Sequence, residues 1–391
     1  MKISDQIYWT GYIDWNLTVF HGYQTPLGSS YNAYLIVDEN PVLIDSVKDY
    51  GFAEMLTRIK AVIAPEKIRY LIANHAEGDH SGSLTELVKI CPNAQVVCSP
   101  KAVDIFKKIY RADWRFKVVE NGETLNIGRR DLKFIHMPMV HWPESMATYS
   151  VTDKILFSND AFGQHYASSE RAADDVPLDI VWQEAAKYYA NIVLPYGAQV
   201  LKVLEAVQTL PVEMICPSHG LIWRRKADIE KIIGLYQKWA NHITDPKALI
   251  VYDTMWHATE KMALRFFELF EQNGIDAKIL NLANKHISDI MTDILAARVV
   301  LFGTPILNNR MLPTMASMLM YIKGLKAKNR YAVTFGSYGW ATVGFKELEE
   351  SVKDAGFTLL SDGHYVKFTP DETEMNKCLA YIPAMLEKLR S

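Results

Sequence analysis

The chain has 391 residues, 49% of them apolar and 22% charged, with a net charge of −3. That length exceeds one ordinary hydrophobic core and predicts two domains, and the slight acidic excess argues against nucleic acid as a partner. No apolar run reaches the length of a membrane span, and the opening MKISDQIYWTGYIDW lacks the apolar stretch of a secretion signal, so a cytoplasmic protein without membrane association is expected.

Up to about residue 245, short β-like runs dominate. They are AYLIV, PVLIDSV, RYLIAN, AQVVCS, LKFIHM, KILFSN and EMICPS, with helical patterns such as FAEMLTRIKAVI and SLTELVKIC between some of them. This mixture predicts β-rich α/β layers. After NHITDPKA the rhythm changes. ALIVYD, AKILNL, RVVLFGT, RYAVTFGS and FTLLSD alternate with amphipathic helical segments, the last being EMNKCLAYIPAMLEKLR. Five apolar strands alternating with helices predict a parallel, doubly wound sheet, because such strands are buried on both faces. Asp245-Pro246 is read as the linker, giving domains at 1–246 and 247–391. The methionine-rich MLPTMASMLM, residues 311–320, is read as the core face of a helix. Cys91, Cys98, Cys216 and Cys378 form no C-x-x-C pair, which argues against a zinc ribbon or an iron–sulfur site and predicts buried thiols.

The stretch NHAEGDHSGS places His75, Glu77, Asp79 and His80 in one turn directly after the strand RYLIAN, with Gly78 relaxing the backbone. One turn cannot close a coordination sphere, so further ligands are expected at other strand ends. His141 follows LKFIHMPMV, Asp160 follows KILFSN and His219 follows EMICPS. Histidines and carboxylates converging from four strand ends predict a metal centre.

In the second half, ALIVYD runs through a tight loop, Thr254, Met255, Trp256, His257, Ala258 and Thr259, into a helix. Exposed backbone N–H groups and the helix dipole make such a junction an anion site. The loop resembles the phosphate loop of flavodoxins, with Trp256 and His257 where threonine and glycine are frequent. In a doubly wound sheet the ligand lies at the carboxyl ends of the strands. Two more strand ends agree: Thr304, Pro305, Ile306, Leu307, Asn308 and Asn309 after RVVLFG, and Gly336, Ser337, Tyr338, Gly339 and Trp340 after RYAVTF. No G-x-G-x-x-G is present, which argues against a nicotinamide site.

HAEGDH with His141, Asp160 and His219 resembles the metallo-β-lactamase-type αββα fold, whose hydrolase motif reads H-x-H-x-D-H. Here Glu77 stands at the second histidine. A carboxylate is a harder ligand and favours iron over zinc. With the flavodoxin-like second half, the chain resembles the flavodiiron proteins, also called A-type flavoproteins. WNLTVFHGY, SSYNAYLI, NDAFGQH, KYYANI and SHGLIWR extend the likeness over nearly the whole chain.

The resemblance implies an N-terminal metallo-β-lactamase-like diiron domain and a C-terminal flavodoxin-like domain of five strands holding FMN. It implies one iron on His75, Glu77 and His141, a second on Asp79, His80 and His219, and Asp160 bridging them, with His80 varying in this role across the family. His21 and Tyr23, in FHGY, correspond to the family's pocket-lining segment, and His165 is a further group expected near the site. The implied activity is reduction of O2 to water, of NO to N2O, or of both, with electrons relayed through FMN. The implied assembly is a head-to-tail homodimer or a dimer of dimers. No C-x-x-C pair follows the flavodoxin-like half, so the expected donor is a separate rubredoxin, with reduced coenzyme F420 as the alternative. A dinuclear zinc hydrolase with an appended flavodoxin-like domain is the competing reading, and Glu77 argues against it.

Overall fold

The computed structural model describes residues 1–390. The chain divides into two compact units: Met1–Tyr188 with Ala198–Gln237, and Tyr189–Gly197 with everything from Lys238 onward.

The first unit holds a seven-stranded and a five-stranded sheet. In the larger sheet, strands Tyr34–Ile36, Val42–Ile44, Tyr70–Ile72 and Gln95–Cys98 are consecutive neighbours. Their side chains alternate between two cores, as the period of a strand demands. Leu35, Leu43, Leu71 and Val96 pack with helices Phe52–Lys60, Leu84–Ile90 and Pro100–Tyr110. Tyr34, Ile36, Val42, Ile44, Ile72 and Val97 face the other way, toward Leu132, Phe134, Met146, Ile155, Phe157 and Cys216 of the smaller sheet. That sheet runs Thr124–Asn126, Asp131–His136, Met146–Ser150, Ile155–Asn159, Met214–Pro217 in order. Its last pair, Ile155–Asn159 with Met214–Pro217, is parallel, so both strands deliver their C-terminal ends to the same edge. Asp160 and His219 follow those two ends.

Arg130 ties the two sheets together. Its guanidinium donates to Asp38 (3.0 Å), to Asp153 (2.9 Å) and to the carbonyl of Asp5 (2.9 Å). Desolvation works to raise the Asp38 pKa, but backbone N–H donors from Arg129 and Glu39 and the Arg130 guanidinium outweigh it and hold the carboxyl below its usual range. A depressed carboxyl stabilises the fold above its unfolded pKa, and that contribution is lost as pH falls through the folded value. Arg130→Met is therefore expected to cost roughly 3 kcal/mol at neutral pH. The gap between variant and wild type should begin to close below about pH 4, as the Asp38 carboxyl starts to protonate. Urea melts across pH 3 to 7 check this; a gap independent of pH would contradict it.

The second unit has the sheet order Asp276–Asn281, Asp245–Tyr252, Ala297–Gly303, Arg330–Tyr338, all parallel. The fifth position is shared by two segments on one edge: Phe357–Leu359 pairs with Arg330–Ala332, and His364–Lys367 pairs with Phe335–Tyr338. The single strand expected at FTLLSD is thus broken, because Leu360–Gly363 spans only Val333–Thr334 opposite. Asp245 and Pro246, read from sequence as linker, open the first strand instead. The register slips between Asp245 and Ala248, which accommodates a proline that has no N–H to donate. Met311, Met315 and Met318 are buried on helix Pro313–Leu325 and its approach, as expected of a core face. All four cysteines are buried and free.

Residues Tyr189–Gly197 were not legible as part of the second unit. Asn191 holds them there: its amide donates to the carbonyl of Ser288 (3.1 Å) and its oxygen accepts from Tyr321 (2.8 Å). Among the described residues no helix is long and apolar enough to cross a membrane.

Candidate metal centre and flavin cavity

Four strand ends of the first unit converge on one point, and all seven residues singled out from sequence meet there. His75, Glu77, His141 and Asp160 form one group whose ligand atoms lie within 4.8 Å of one another, and Asp79, His80 and His219 form a second. His75 Nε2 is 3.2 Å from Glu77 Oε2, and His141 Nε2 is 3.3 Å from the same oxygen. Asp160 Oδ2 faces this group, 3.5 Å from His75 Nε2 and 3.3 Å from His141 Nε2. Asp160 Oδ1 faces the other, 3.0 Å from His80 Nε2 and 3.4 Å from His219 Nε2. Asp79 Oδ2 completes it, 3.3 Å from His80 and 3.2 Å from His219.

These spacings fit metal ions. Ligand bonds of about 2.1 Å at tetrahedral or octahedral angles put neighbouring donors about 3.0 to 3.4 Å apart. The hydrogen bonding points the same way. Both carboxylate oxygens of Asp79, both ring nitrogens of His80 and Oδ2 of Asp160 are buried without a hydrogen-bond partner. Buried polar atoms are normally satisfied, so an unpaired set gathered around one point fits a bound cation. The charges agree as well. Burial would lower the pKa of each histidine, but the carboxylates overcome it. The carboxylates of Glu144 and Glu77, which accept from His75, push it up to about 10, the neighbouring carboxylates of Asp160 and Glu77 push His141 up to about 10, and the charges of Asp79 and Asp160 push His80 up to about 9. The carboxylates of the cluster thus favour positive charge at its centre.

The supports behind the ligands were not visible in the sequence. Glu144 Oε1 accepts from His75 Nδ1 (2.7 Å) and from the backbone N–H of Ala76 (3.0 Å), with its side chain fully buried. His219 Nδ1 donates to the carbonyl of Ser30 (2.8 Å), and Ser218 Oγ donates to Asp160 Oδ1 (2.9 Å). Gly220 has φ +74°, and a Cβ there would fall 2.0 Å from Gln164 Oε1, so only glycine lets the chain turn back behind His219. A histidine with its second nitrogen fixed presents Nε2 in one orientation. Glu144→Gln is expected to lower metal affinity 10- to 100-fold, with the flavin retained. Competition against a chelator measures it, and an unchanged affinity would reduce Glu144 to a packing residue.

His21 lies at the mouth. Its Nε2 bonds Glu77 Oε1 at 2.7 Å, which turns Oε2 inward. A cavity of 350 Å3 opens here between Val19, Phe20, His21, Lys48, Glu77, Gly78 and Asp79. Tyr23 does not line it; its buried ring packs beside His165 at 5.4 Å. His165 sits behind the ligands, bonded through Nδ1 to Ser29 Oγ (2.6 Å) with its ring 4.7 Å from that of His219. Trp142 covers His75, ring to ring at 5.1 Å.

In the second unit a cavity of 660 Å3 opens at the strand ends. Of the residues singled out from sequence, Met255, Trp256, Ala258, Pro305, Ile306, Leu307, Asn308, Asn309, Ser337, Tyr338, Gly339 and Trp340 line it. Ala341, Phe368 and Thr369 line it too and were not foreseen. Thr304 and Gly336 stand behind the wall. A Cβ on Gly336 would fall 2.0 Å from the Thr304 carbonyl, so these two strands can approach only through glycine. Thr259 is buried with Oγ1 3.2 Å from Ser337 Oγ, while His257 turns outward to Glu260 (2.6 Å). The volume lies in the range of cofactor pockets, and indole and phenol walls suit a flat aromatic ring. Thr254 Oγ1 is buried and unpaired beside the loop, a free hydroxyl of the kind a phosphate would engage. The cavity and loop fit FMN.

Comparison with known proteins agrees with both halves. Residues 30–220 match the family described as ODP family beta lactamase, and residues 250–381 match Flavodoxin. The chain is 40% identical to a nitric oxide reductase of Moorella thermoacetica, over 97% of this chain and 96% of that protein. The structure of the rubredoxin oxygen:oxidoreductase from Desulfovibrio gigas superposes with a TM-score of 0.97 at 38% identity, covering 100% of this chain and 98% of that one. The flavodiiron protein of Giardia intestinalis gives a TM-score of 0.94 at 35% identity, covering 100% and 96%. With two ligand groups sharing one aspartate on a β-lactamase-like unit, and a flavin-sized cavity on a flavodoxin unit, this chain belongs to the flavodiiron protein family.

Proposed function

We propose that the chain is an oxidoreductase that reduces O2 or NO at a diiron centre, with electrons arriving through FMN. The observation that carries this is Asp160, whose two oxygens face two separate ligand groups. When bound, the iron pair supplies electrons and open coordination positions, and FMN supplies two further electrons. Reduction of O2 to two waters takes four electrons, and coupling of two NO to N2O takes two. His75, Glu77 and His141 hold one metal; Asp79, His80 and His219 hold the other. Glu144, Ser30 and Ser218 fix the orientation of His75, His219 and Asp160. His21 keeps Glu77 Oε1 outward so that Oε2 stays with the site. Phe20 and Trp142 cover ligand histidines and exclude water from that side. Glu77 in place of histidine, together with the flavin cavity, weighs against zinc hydrolysis.

The flavin cavity is rimmed by Trp256 and Trp340, which are 86% and 90% exposed. Large aromatics left in water at a cofactor site favour a covering partner. This supports a head-to-tail homodimer in which one copy's flavin meets the other's metals, with a dimer of dimers as the larger form. The relative from Desulfovibrio gigas is named for rubredoxin, which supports a separate rubredoxin as donor; reduced F420 is the competing donor.

The test is anaerobic. The iron-loaded protein is reduced fully, mixed separately with O2 and with NO, and followed over repeated turnovers. Sustained turnover of either gas is expected. Turnover of neither, with two irons and FMN bound, would overturn the assignment.

A further inference from the structure

The segment SSYNAYLI, part of the family likeness, contains a side chain that the site as described leaves unused. Asn32 lies between strands Ser29–Tyr31 and Tyr34–Ile36 and is fully buried. Its side-chain nitrogen donates to the carbonyls of Pro217 (2.8 Å) and Gly220 (3.0 Å). Those two residues flank Ser218 and the ligand His219. Its side-chain oxygen accepts from the Trp9 indole N–H (2.8 Å) and from the Ser30 hydroxyl (2.9 Å). Its backbone N–H donates to the Ser218 carbonyl at 2.7 Å. Both amide hydrogens and both acceptor positions of the side chain are thus engaged.

We propose that Asn32 and Trp9 are a positioning pair: they hold the turn Pro217–Gly220, and through it His219, in the orientation that the second ligand group needs, while the first group stands without them. The proposal rests on the diiron reading above and says what supports one half of it. Ser30 fixes the ring of His219 through its carbonyl, and its hydroxyl accepts from the Gly220 N–H at 2.8 Å. Asn32 fixes the backbone that carries the ring. The grip has a direction. An indole N–H can only donate, so Trp9 admits only the amide oxygen on its side and turns the amide nitrogen toward the two carbonyls. A flipped amide would set its oxygen against both carbonyls and its N–H groups against the indole. Trp9 is itself held, its ring 4.5 Å from the guanidinium of Arg171 and 5.1 Å from that of Arg58.

The neighbouring contacts make the effect local. Gln164 grips the chain just beyond the turn: its side chain accepts from the Leu221 N–H (2.7 Å) and donates to the Leu221 carbonyl (3.2 Å). Loss of Asn32 therefore loosens the turn without releasing it. The first group has its own support, because Glu144 holds His75 from the segment before strand Met146–Ser150. Two separate hydrogen-bond sets build the two halves, so one half can be weakened alone.

The experiment uses the full chain with FMN bound and measures ferrous ion affinity by anaerobic competition against a chelator. His75→Ala removes a ligand of the first group, so the ion that remains reports the second. His219→Ala does the reverse. Asn32→Asp is then added to each. It keeps the size of the side chain but has at most one proton to offer two carbonyls. In the His75→Ala chain it should lower the affinity of the remaining ion about 10- to 100-fold. In the His219→Ala chain it should leave the affinity unchanged. Trp9→Phe, which keeps an aromatic ring but has no N–H, should give the same pattern at smaller size and serves as the test if Asn32→Asp fails to fold. With two ions bound by wild type, equal losses in both backgrounds would reduce the pair to general structural support and overturn the proposal, as would no loss in the His75→Ala chain. A wild-type chain that binds one ion would instead overturn the diiron reading beneath it.

Discussion

An Asp160→Ala chain is expected to purify with its flavin but without its metal pair. Asp160 is the one side chain whose oxygens face both ligand groups, so its loss removes an anionic donor from each metal at once. The cluster falls from three carboxylates to two, while four histidines remain crowded together. Loss of a partner outside the ligand set already costs 10- to 100-fold in metal affinity or activity, so loss of a shared ligand should cost at least about a hundredfold. Asp160→Asn keeps the shape and the bond from Ser218 but not the charge, and should fall between wild type and alanine. Iron analysis, flavin absorbance and gas turnover check the series. Two irons retained in Asp160→Ala would remove Asp160 as the bridge.

Thr254→Asp should have the opposite selectivity, losing FMN and keeping iron. The hydroxyl of Thr254 is buried and unpaired at the loop before helix Ala258–Gln272. Asp253 already supplies a carboxylate there, held by the Thr254 N–H (2.7 Å) and by the Thr314 hydroxyl. A second carboxylate facing the phosphate adds repulsion of about 4 kcal/mol for unit charges 4 Å apart at an effective dielectric constant of 20. That corresponds to about a thousandfold in affinity. Flavin titration of the apoprotein measures it. Unchanged affinity would move the phosphate site away from this loop. Together the two variants ask whether the units hold their cofactors independently.

The ligand set was readable because its signals are local. His75, Glu77, Asp79 and His80 occupy one turn, and His141, Asp160 and His219 each follow an apolar run whose period marks a strand. The five-strand alternation of the second half was equally plain, since buried parallel strands are nearly continuous apolar runs. The resemblance then supplied which residues would share a metal; the coordinates gather His75, Glu77, His141 and Asp160 in one group and Asp79, His80 and His219 in another. The division of the fifth strand was hidden because nothing in SDGHYV distinguishes a break from an end. Asp245-Pro246 misled because a proline near a strand start reads as a linker unless the bulge that absorbs it is known.

The sequence by itself determined the chemistry available: which donors exist, that they follow strand ends, and that a glutamate replaces a histidine. Tertiary structure alone decided how those donors are held and what surrounds them. Glu144 reaches His75 across 69 residues, and the Ser30 carbonyl reaches His219 across 189. Asn191 draws its segment into the second unit across 97. Phe368 and Thr369 close the flavin cavity from a strand end with no motif of its own. Hydrophobic period and turn chemistry are properties of neighbours along the chain. A hydrogen bond to a distant partner depends on where the layers bring the chain back, and no window of sequence records that.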